Sequence, residues 1–302
     1  MGRPLRYFES DGWYFVTART FQSRLLLKPT RQMSEVLGGV LARAARRTEV
    51  RLLGFVAASN HLHLLVHARG ASLSRFMQFL LGNVSKKAGP LVGWRGQFWE
   101  RRYSAEPVLD DGAMEGRLKY ILAHGVKEGL VRRASEWPGL SCLPQLLGEA
   151  KRRFRFYEWA RRWESGKLIP GGEDRWASEW ATTEELELHP LPAWEGWTVE
   201  RRQARARELV AQVEAEARRK HRTVLGVRAV LEQEPLAPPA KTKRSPRPWF
   251  HAAERALGLR FLAGYAVFAS AFRRASALFR LGKWREAEFP PFAFRPWVPV
   301  RV

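Results

Sequence analysis

The 302-residue sequence contains one cysteine, Cys142. An intramolecular disulfide and a cysteine-based metal cluster are therefore excluded, and the composition fits a reducing compartment. Long apolar runs are missing as well. The longest candidates are 52–68, broken by Asn60 and three histidines, and 261–272, which is only 12 residues long. A membrane span needs roughly 18 or more. The opening MGRPLRYFESDG has no apolar signal core. These absences lead us to expect a soluble, cytoplasmic protein with no membrane partner. Three familiar catalytic motifs are also absent: the Gly-x-x-x-x-Gly-Lys phosphate loop, the His-Glu-x-x-His helix and the Gly-x-Ser-x-Gly elbow. Cys142, in a loop-like PGLSC, has no local partner to activate its thiol.

Acidic residues are the other scarcity. Thirty Asp and Glu stand against 52 Lys and Arg, a net charge of +22. Residues 1–150 carry 22 bases and 12 acids, and residues 151–302 carry 30 and 18, so the excess is not confined to a tail. Self-repulsion on this scale opposes compaction and is tolerated where the partner is a polyanion. Lys and Arg that neutralise phosphates release counterions, the main source of sequence-independent nucleic-acid affinity. Enrichment of Arg through codon bias is the competing explanation.

Hydrophobic periodicity divides the first half into alternating elements. GWYFVTART (12–20) reads as a strand. Val36, Leu37, Val40, Leu41 and Ala44 recur at helical spacing over 33–47. Two strand-like runs, 50–57 and 61–67, flank Ser59 and Asn60 and predict a hairpin. A second helix, capped by Ser72 or Ser74, is expected to reach Lys87 and stop at Gly89-Pro90. Residues 97–109 look extended. Asp110 and Asp111 can cap a third helix over 112–127, closed by Gly129. This order predicts an α+β fold, an antiparallel sheet with packed helices, ending near residue 150.

The second half, 151–302, reads as a basic, mainly helical accessory region. Residues 151–168 are expected to be helical. Residues 173–197 combine seven acids with four tryptophans and are a candidate to fold back on the basic core. Residues 198–220 carry an apolar seam of Val199, Ala206, Val210, Val213 and Ala217. A proline-rich linker at 235–248 precedes a last helix over 251–281.

The sharpest local feature is His61-Leu62-His63 within SNHLHLLVH. On a strand, residues two apart project from one face, so both imidazoles point the same way and can share a divalent cation. His67 lies on that face too, while Leu62, Leu64 and Val66 face the core. Unrelated core or surface histidines would give the same short pattern. A metal site would need a third ligand from elsewhere in the chain.

SNHLHLLV resembles the Pro-Asn-His-hydrophobic-His signature of HUH endonucleases, in particular the single-tyrosine HUH transposases. Within these, the chain most resembles the REP-associated tyrosine transposases, also described as IS200-like. The likeness covers about residues 5–145. It includes the opening strand with Thr17 and Arg19, the segment GQFWERRYSAEPVLDD (96–111), and KYILAHGVKEGLV (119–131). The last is similar to that family's Tyr-Ile-x-x-Asn-Pro-Val-x-x-Gly-Leu-Val. Nothing in 151–302 belongs to the shared core.

The resemblance implies a ferredoxin-like HUH domain at 1–150 with Tyr120 as catalytic nucleophile, mounted mid-helix. It implies a divalent metal ion, Mg²⁺ or Mn²⁺, held by His61 and His63, and single-stranded or hairpin DNA as substrate. The expected activity is DNA cleavage and rejoining through a 5′-phosphotyrosine link, by a monomer or a homodimer. Tyr103 is the competing hydroxyl and is expected to pack. Two departures stand out. Ser59 replaces the signature proline, and His124-Gly125 replaces Asn-Pro. One helical turn separates Tyr120 from His124, so His124 can supply the third metal contact, an imidazole in place of an amide oxygen. The alternative is a catalytically silent nucleic-acid-binding protein that keeps the fold and the charge.

Overall fold

The computed structural model describes residues 5–149, 151–166, 174–239 and 248–297. The first 122 residues supply β1 (Asp11–Arg19), α1 (Arg31–Thr48), β2 (Arg51–Ala58), β3 (His61–Arg69), α2 (Ser72–Leu91), β4 (Ser104–Pro107) and α3 (Asp111–Leu122). The sheet order is β2-β3-β1-β4 and every neighbouring pair is antiparallel. With the chain order β-α-β-β-α-β, this is a ferredoxin-like sheet, and the α+β expectation holds.

Alternation along β3 decides what lies on each side. Leu62 and Leu64 line a small apolar gap with Leu37 and Leu41 of α1 and Leu80 of α2. His61, His63 and Leu65 point to the opposite face. There Gly54, paired with Leu65, lets α3 come close: a Cβ at Gly54 would meet Leu118 and Ile121 at 3.0 and 3.2 Å. The histidine face is thus the face that α3 covers.

Both helices that lead to this arrangement are capped by side chains. The Thr30 hydroxyl accepts from Met33 N at 3.1 Å, and Asp110 Oδ1 accepts from Ala113 N at 2.7 Å. Ser72 does not cap α2; its hydroxyl accepts from Arg69 N at 3.0 Å, and Ala71 holds the cap position. α2 also runs through Gly89-Pro90 to Leu91. A proline in the last turn costs only one amide bond, and Val92 N still reaches the Gly89 carbonyl at 3.1 Å. Helix α3 ends at Leu122, not near 127, so Tyr120 stands in its last turn and not mid-helix. The following turns press Gly125 on Trp137 and Val131, where a Cβ would lie 3.1 and 2.9 Å away. That close approach bends the chain out of the helical path.

Beyond α3 come α4 (Leu143–Leu146), β5 (Arg152–Tyr157), α5 (Trp159–Glu164), β6 (Ala181–Leu186), α6 (Val199–Lys220), α7 (Val227–Glu232) and α8 (Arg255–Arg280). The helix expected over 151–168 holds only at Trp159–Glu164; its first part, Arg152–Tyr157, is a strand, and residues 167 and 168 lie outside the described residues. Phe154 and Phe156 are buried while Arg153 and Arg155 are exposed, a period of two that pairs β5 with β6. Of the proline-rich 235–248 segment, residues 240–247 lie outside the described residues, as does Glu173 of the acid- and Trp-rich stretch. No helix among the described residues is long and apolar enough to cross a membrane.

The apolar core runs on through Phe154, Phe156, Leu186, Leu191 and Trp194. The β5–β6 hairpin packs on α1 at Gly38-Gly39, where a Cβ would fall 2.4 Å from the Phe154 ring and 2.0 Å from the Arg155 carbonyl oxygen. Gly39→Val should therefore cost about 3 kcal/mol or more, since backbone has to move; urea unfolding of the variant checks this.

The acid- and Trp-rich stretch does fold back. Buried Glu184 meets both Arg43 and Arg46, and Arg43 also contacts Glu158 at 2.9 Å. Burial opposes the Glu184 carboxylate charge, but hydrogen bonds from Arg46 and Arg43 prevail and hold its pKa below the usual range. A depressed folded-state pKa gives stability that is present above the unfolded value, near about 4.3, and lost as pH falls through the folded one. Glu184→Gln should lower stability at neutral pH by about 3 kcal/mol and flatten the acid limb below pH ~5. Urea midpoints measured between pH 3 and 7 test both effects.

Candidate functional site

Three histidines converge between β3 and the end of α3. One ligand atom each from His61, His63 and His124 all lie within 4.8 Å of one another. The ring centroids are 4.7 Å apart for His61–His63, 4.6 Å for His61–His124 and 5.0 Å for His63–His124. The first two arrive by strand alternation. The third arrives because the chain leaves α3 in a tight turn, with His124 N bonded to the Ile121 carbonyl at 3.2 Å.

Hydrogen bonds to the outer ring nitrogens orient two of these side chains. Asn60 Nδ2 donates to the Ser23 carbonyl at 3.2 Å, so Asn60 Oδ1 faces His61 Nδ1, 2.6 Å away. An amide oxygen only accepts, so Nδ1 carries the proton and Nε2 keeps its lone pair. Thr17, opposite His63 in the β1–β3 register, places Oγ1 2.9 Å from His63 Nδ1. Partners of this kind fix the ring and raise the basicity of the other nitrogen.

The pocket is largely buried and lined by cations. Burial first, then Arg19 and Lys127, push the His61 pKa down to about 3. Burial likewise holds His63 and His124 well below the ordinary range, helped by the neighbouring imidazoles. All three are neutral at pH 7 and offer lone pairs. His63 Nε2 and His124 Nδ1 are buried with no hydrogen-bond partner. An unpaired buried polar atom costs about 1–3 kcal/mol, which a cation would offset. Three neutral imidazoles, two of them with orphaned nitrogens, fit a divalent transition-type ion well.

Tyr120 stands beside this cluster. Its half-buried ring meets His63 edge-to-face at 5.3 Å and Phe15 at 5.8 Å, with His124 at 6.2 Å. Lys127 Nζ sits 3.4 Å from the ring centroid and the Arg117 guanidinium 5.3 Å. Burial chiefly, with Glu128 adding, raises the phenol pKa; Arg117 and Arg19 oppose the rise. Helix α6 braces α3 from outside through Lys119–Glu216 (2.7 Å) and Arg205–Glu115.

The remaining sequence candidates lie apart from the cluster. Tyr103 packs, as expected: its hydroxyl accepts from Arg6 Nη1 at 2.7 Å, and the guanidinium covers its ring at 3.7 Å. His67 shares the histidine face but is engaged by Asp11, Nε2 to Oδ1 2.5 Å. Cys142 is fully buried, and burial pushes its thiol up to about 11. Sequence reasoning missed the orienting role of Asn60 and the cations Lys127 and Arg117. It missed Phe15 too, whose ring lies stacked on His63 at 5.1 Å.

Part of the chain is similar to known proteins. Residues 18–124, from β1 to the third histidine, match the family described as transposase, IS200 like. Among solved structures, a REP-associated tyrosine transposase bound to a REP hairpin is 20% identical, covering 49% of this chain and 87% of that one, with a TM-score of 0.41. A Deinococcus radiodurans R1 protein described as a transposase is 18% identical, covering 40% and 95%, with a TM-score of 0.30. No curated protein matches the chain. Over residues 18–124, the chain is similar to the IS200-like transposase family.

Proposed function

We propose that this protein is a metal-dependent DNA strand transferase that uses Tyr120 as nucleophile on single-stranded or hairpin DNA. The observation that carries the reading is the Tyr120 ring set against a buried cluster of three neutral histidines. His61, His63 and His124 would hold the divalent ion, Mg²⁺ or Mn²⁺, which when bound polarises the scissile phosphate.

The chain's own groups do the rest. Arg19, Arg117 and Lys127 surround the site and neutralise the incoming phosphodiester, an electrostatic contribution that strengthens where water is excluded. The phenol, whose pKa burial raises, gives up its proton to water as its oxygen bonds to phosphorus, and the negative charge that passes to the phosphate is met by these cations. As that bond forms, the bond from phosphorus to the 3′ oxygen breaks. The products are a 5′-phosphotyrosine link and a free 3′-hydroxyl, protonated from water. The covalent link conserves the bond energy, so a later 3′-hydroxyl can displace Tyr120 and rejoin the strand.

In this reading residues 1–150 carry the chemistry. Residues 151–302 add affinity through Arg-rich helices such as α6, whose Arg201-Arg202 and Arg218-Arg219 pairs suit phosphate contacts. A cytoplasmic location follows from the DNA substrate. A divalent-metal-dependent nicking assay on hairpin and single-stranded DNA tests the proposal. Tight DNA binding with no nicking under any metal would favour a silent nucleic-acid-binding protein instead.

His124, where the chain departs from its family, gives a sharper test. His124→Asn exchanges an imidazole nitrogen for a harder oxygen, so Mg²⁺ should gain about tenfold relative to Mn²⁺ in supporting cleavage. His124→Ala should weaken Mn²⁺ binding in calorimetric titration. Identical metal profiles for parent, Asn and Ala forms would remove His124 from the ligand set.

A further inference from the structure

The segment just ahead of α8 returns to the sheet. His251 forms a parallel bridge with Val108, just beyond β4. His251 N donates to the Pro107 carbonyl at 2.7 Å, and Leu109 N donates to the His251 carbonyl at 2.9 Å. Two residues on, the arm reaches the cap of α3. Asp110 spends Oδ1 on Ala113 N inside the helix and Oδ2 on Ala253 N and Glu254 N, at 2.6 and 3.1 Å. One carboxylate therefore clamps the arm to the first turn of the Tyr120 helix.

The His251 side chain goes further in. Its Nε2 lies 2.9 Å from Glu106 Oε2, a pair in which both side chains are almost entirely buried. In the β1–β4 register Glu106 stands opposite Phe15. The His251 ring meets Phe15 edge-on at 5.7 Å. Phe15 in turn stacks on His63 and meets Tyr120 edge-on. His251 thus backs a ring against which both a histidine of the cluster and the tyrosine rest.

We propose that His251 is a positioning residue for Tyr120, and that the arm at 249–254 is part of the nucleophile's mount, holding it through Phe15 at one end of α3 and through Asp110 at the other. The proposal rests on Tyr120 being the nucleophile. In-line attack tolerates little error: a displacement of about 1 Å can cost 10²-fold in rate. DNA binding, which depends on the surrounding cations, does not need that precision.

The test uses the full chain with a single-stranded DNA probe containing a hairpin. In His251→Ala, single-turnover adduct formation should fall at least tenfold while DNA affinity stays within about twofold. His251→Gln keeps an N–H for Glu106 and should recover most of the rate, which a merely destabilised fold would not. Hydrogen exchange at residues 111–122 should quicken in the Ala form and return to parental values in the Gln form. Should His251→Ala fail to fold, Asp110→Asn retains the helix cap but loses one of the two acceptors, and should show the same split between rate and affinity. A parental cleavage rate in the Ala form, or equal losses of rate and affinity, overturns the proposal. If the parent itself forms no adduct, the nucleophile reading fails, and unchanged exchange in α3 would then overturn the mount as well, whereas faster exchange would uphold it.

Discussion

Tyr120→Phe is expected to abolish the denaturant-resistant DNA adduct, a loss of at least about 10⁴-fold, with DNA affinity nearly unchanged. The substitution removes one oxygen and leaves the ring that packs on Phe15 and His63. Lys127 and Arg117 lie over that ring and keep their contact with it, so the cationic surface proposed to receive phosphate is preserved. Tyr103→Phe is the control. Its hydroxyl serves Arg6, away from the histidines, and its loss should leave adduct formation intact. Denaturing electrophoresis of a 3′-end-labelled strand gives the readout. An adduct surviving in Tyr120→Phe would sink the assignment of the nucleophile.

His61→Ala and His63→Ala should each remove cleavage to below about 10⁻³ of the parent rate and weaken Mn²⁺ binding by about 10- to 100-fold. The two are not equivalent in stability. His63 is buried under Phe15 and bonded to Thr17, so its truncation opens a cavity and strands the Thr17 hydroxyl. His61 lies nearer the surface and rests on Asn60, so its loss should be milder. Thr17→Val should weaken metal binding in the same direction but less, since it releases the His63 ring without removing it. Calorimetric titration with Mn²⁺ separates these forms. Unchanged affinity in both alanine variants would place any metal elsewhere.

Much of this site was legible because strand periodicity is a simple code. His61-Leu62-His63 can only alternate, and the apolar Leu62 and Leu64 decide which face is the core. The third histidine was legible only through the likeness to a family, because its approach depends on where α3 ends. Sequence spacing suggested a helix through 127; packing of Gly125 on Trp137 ends it at Leu122 instead. The β5 strand was missed although RRFRFY alternates plainly, since its charge and aromatic content drew a helical reading. The Glu106–His251 pair was beyond reach in principle. Its members are 145 residues apart, and neither local propensity nor periodicity carries information over that distance.

That separation orders events in time. A ribosome adding about 5–20 residues per second needs roughly 7–30 s to go from Glu106 to His251. Throughout that interval the outer edge of β4 has no neighbour from the arm, and the Asp110 clamp on the first turn of α3 holds nothing. The emerging chain can already complete its four-stranded sheet and gather its histidines, yet the tyrosine's support is finished only once residue 251 has been added. If Tyr120 is the nucleophile proposed above, synthesis itself delays its strand-cleaving activity until the arm has been made.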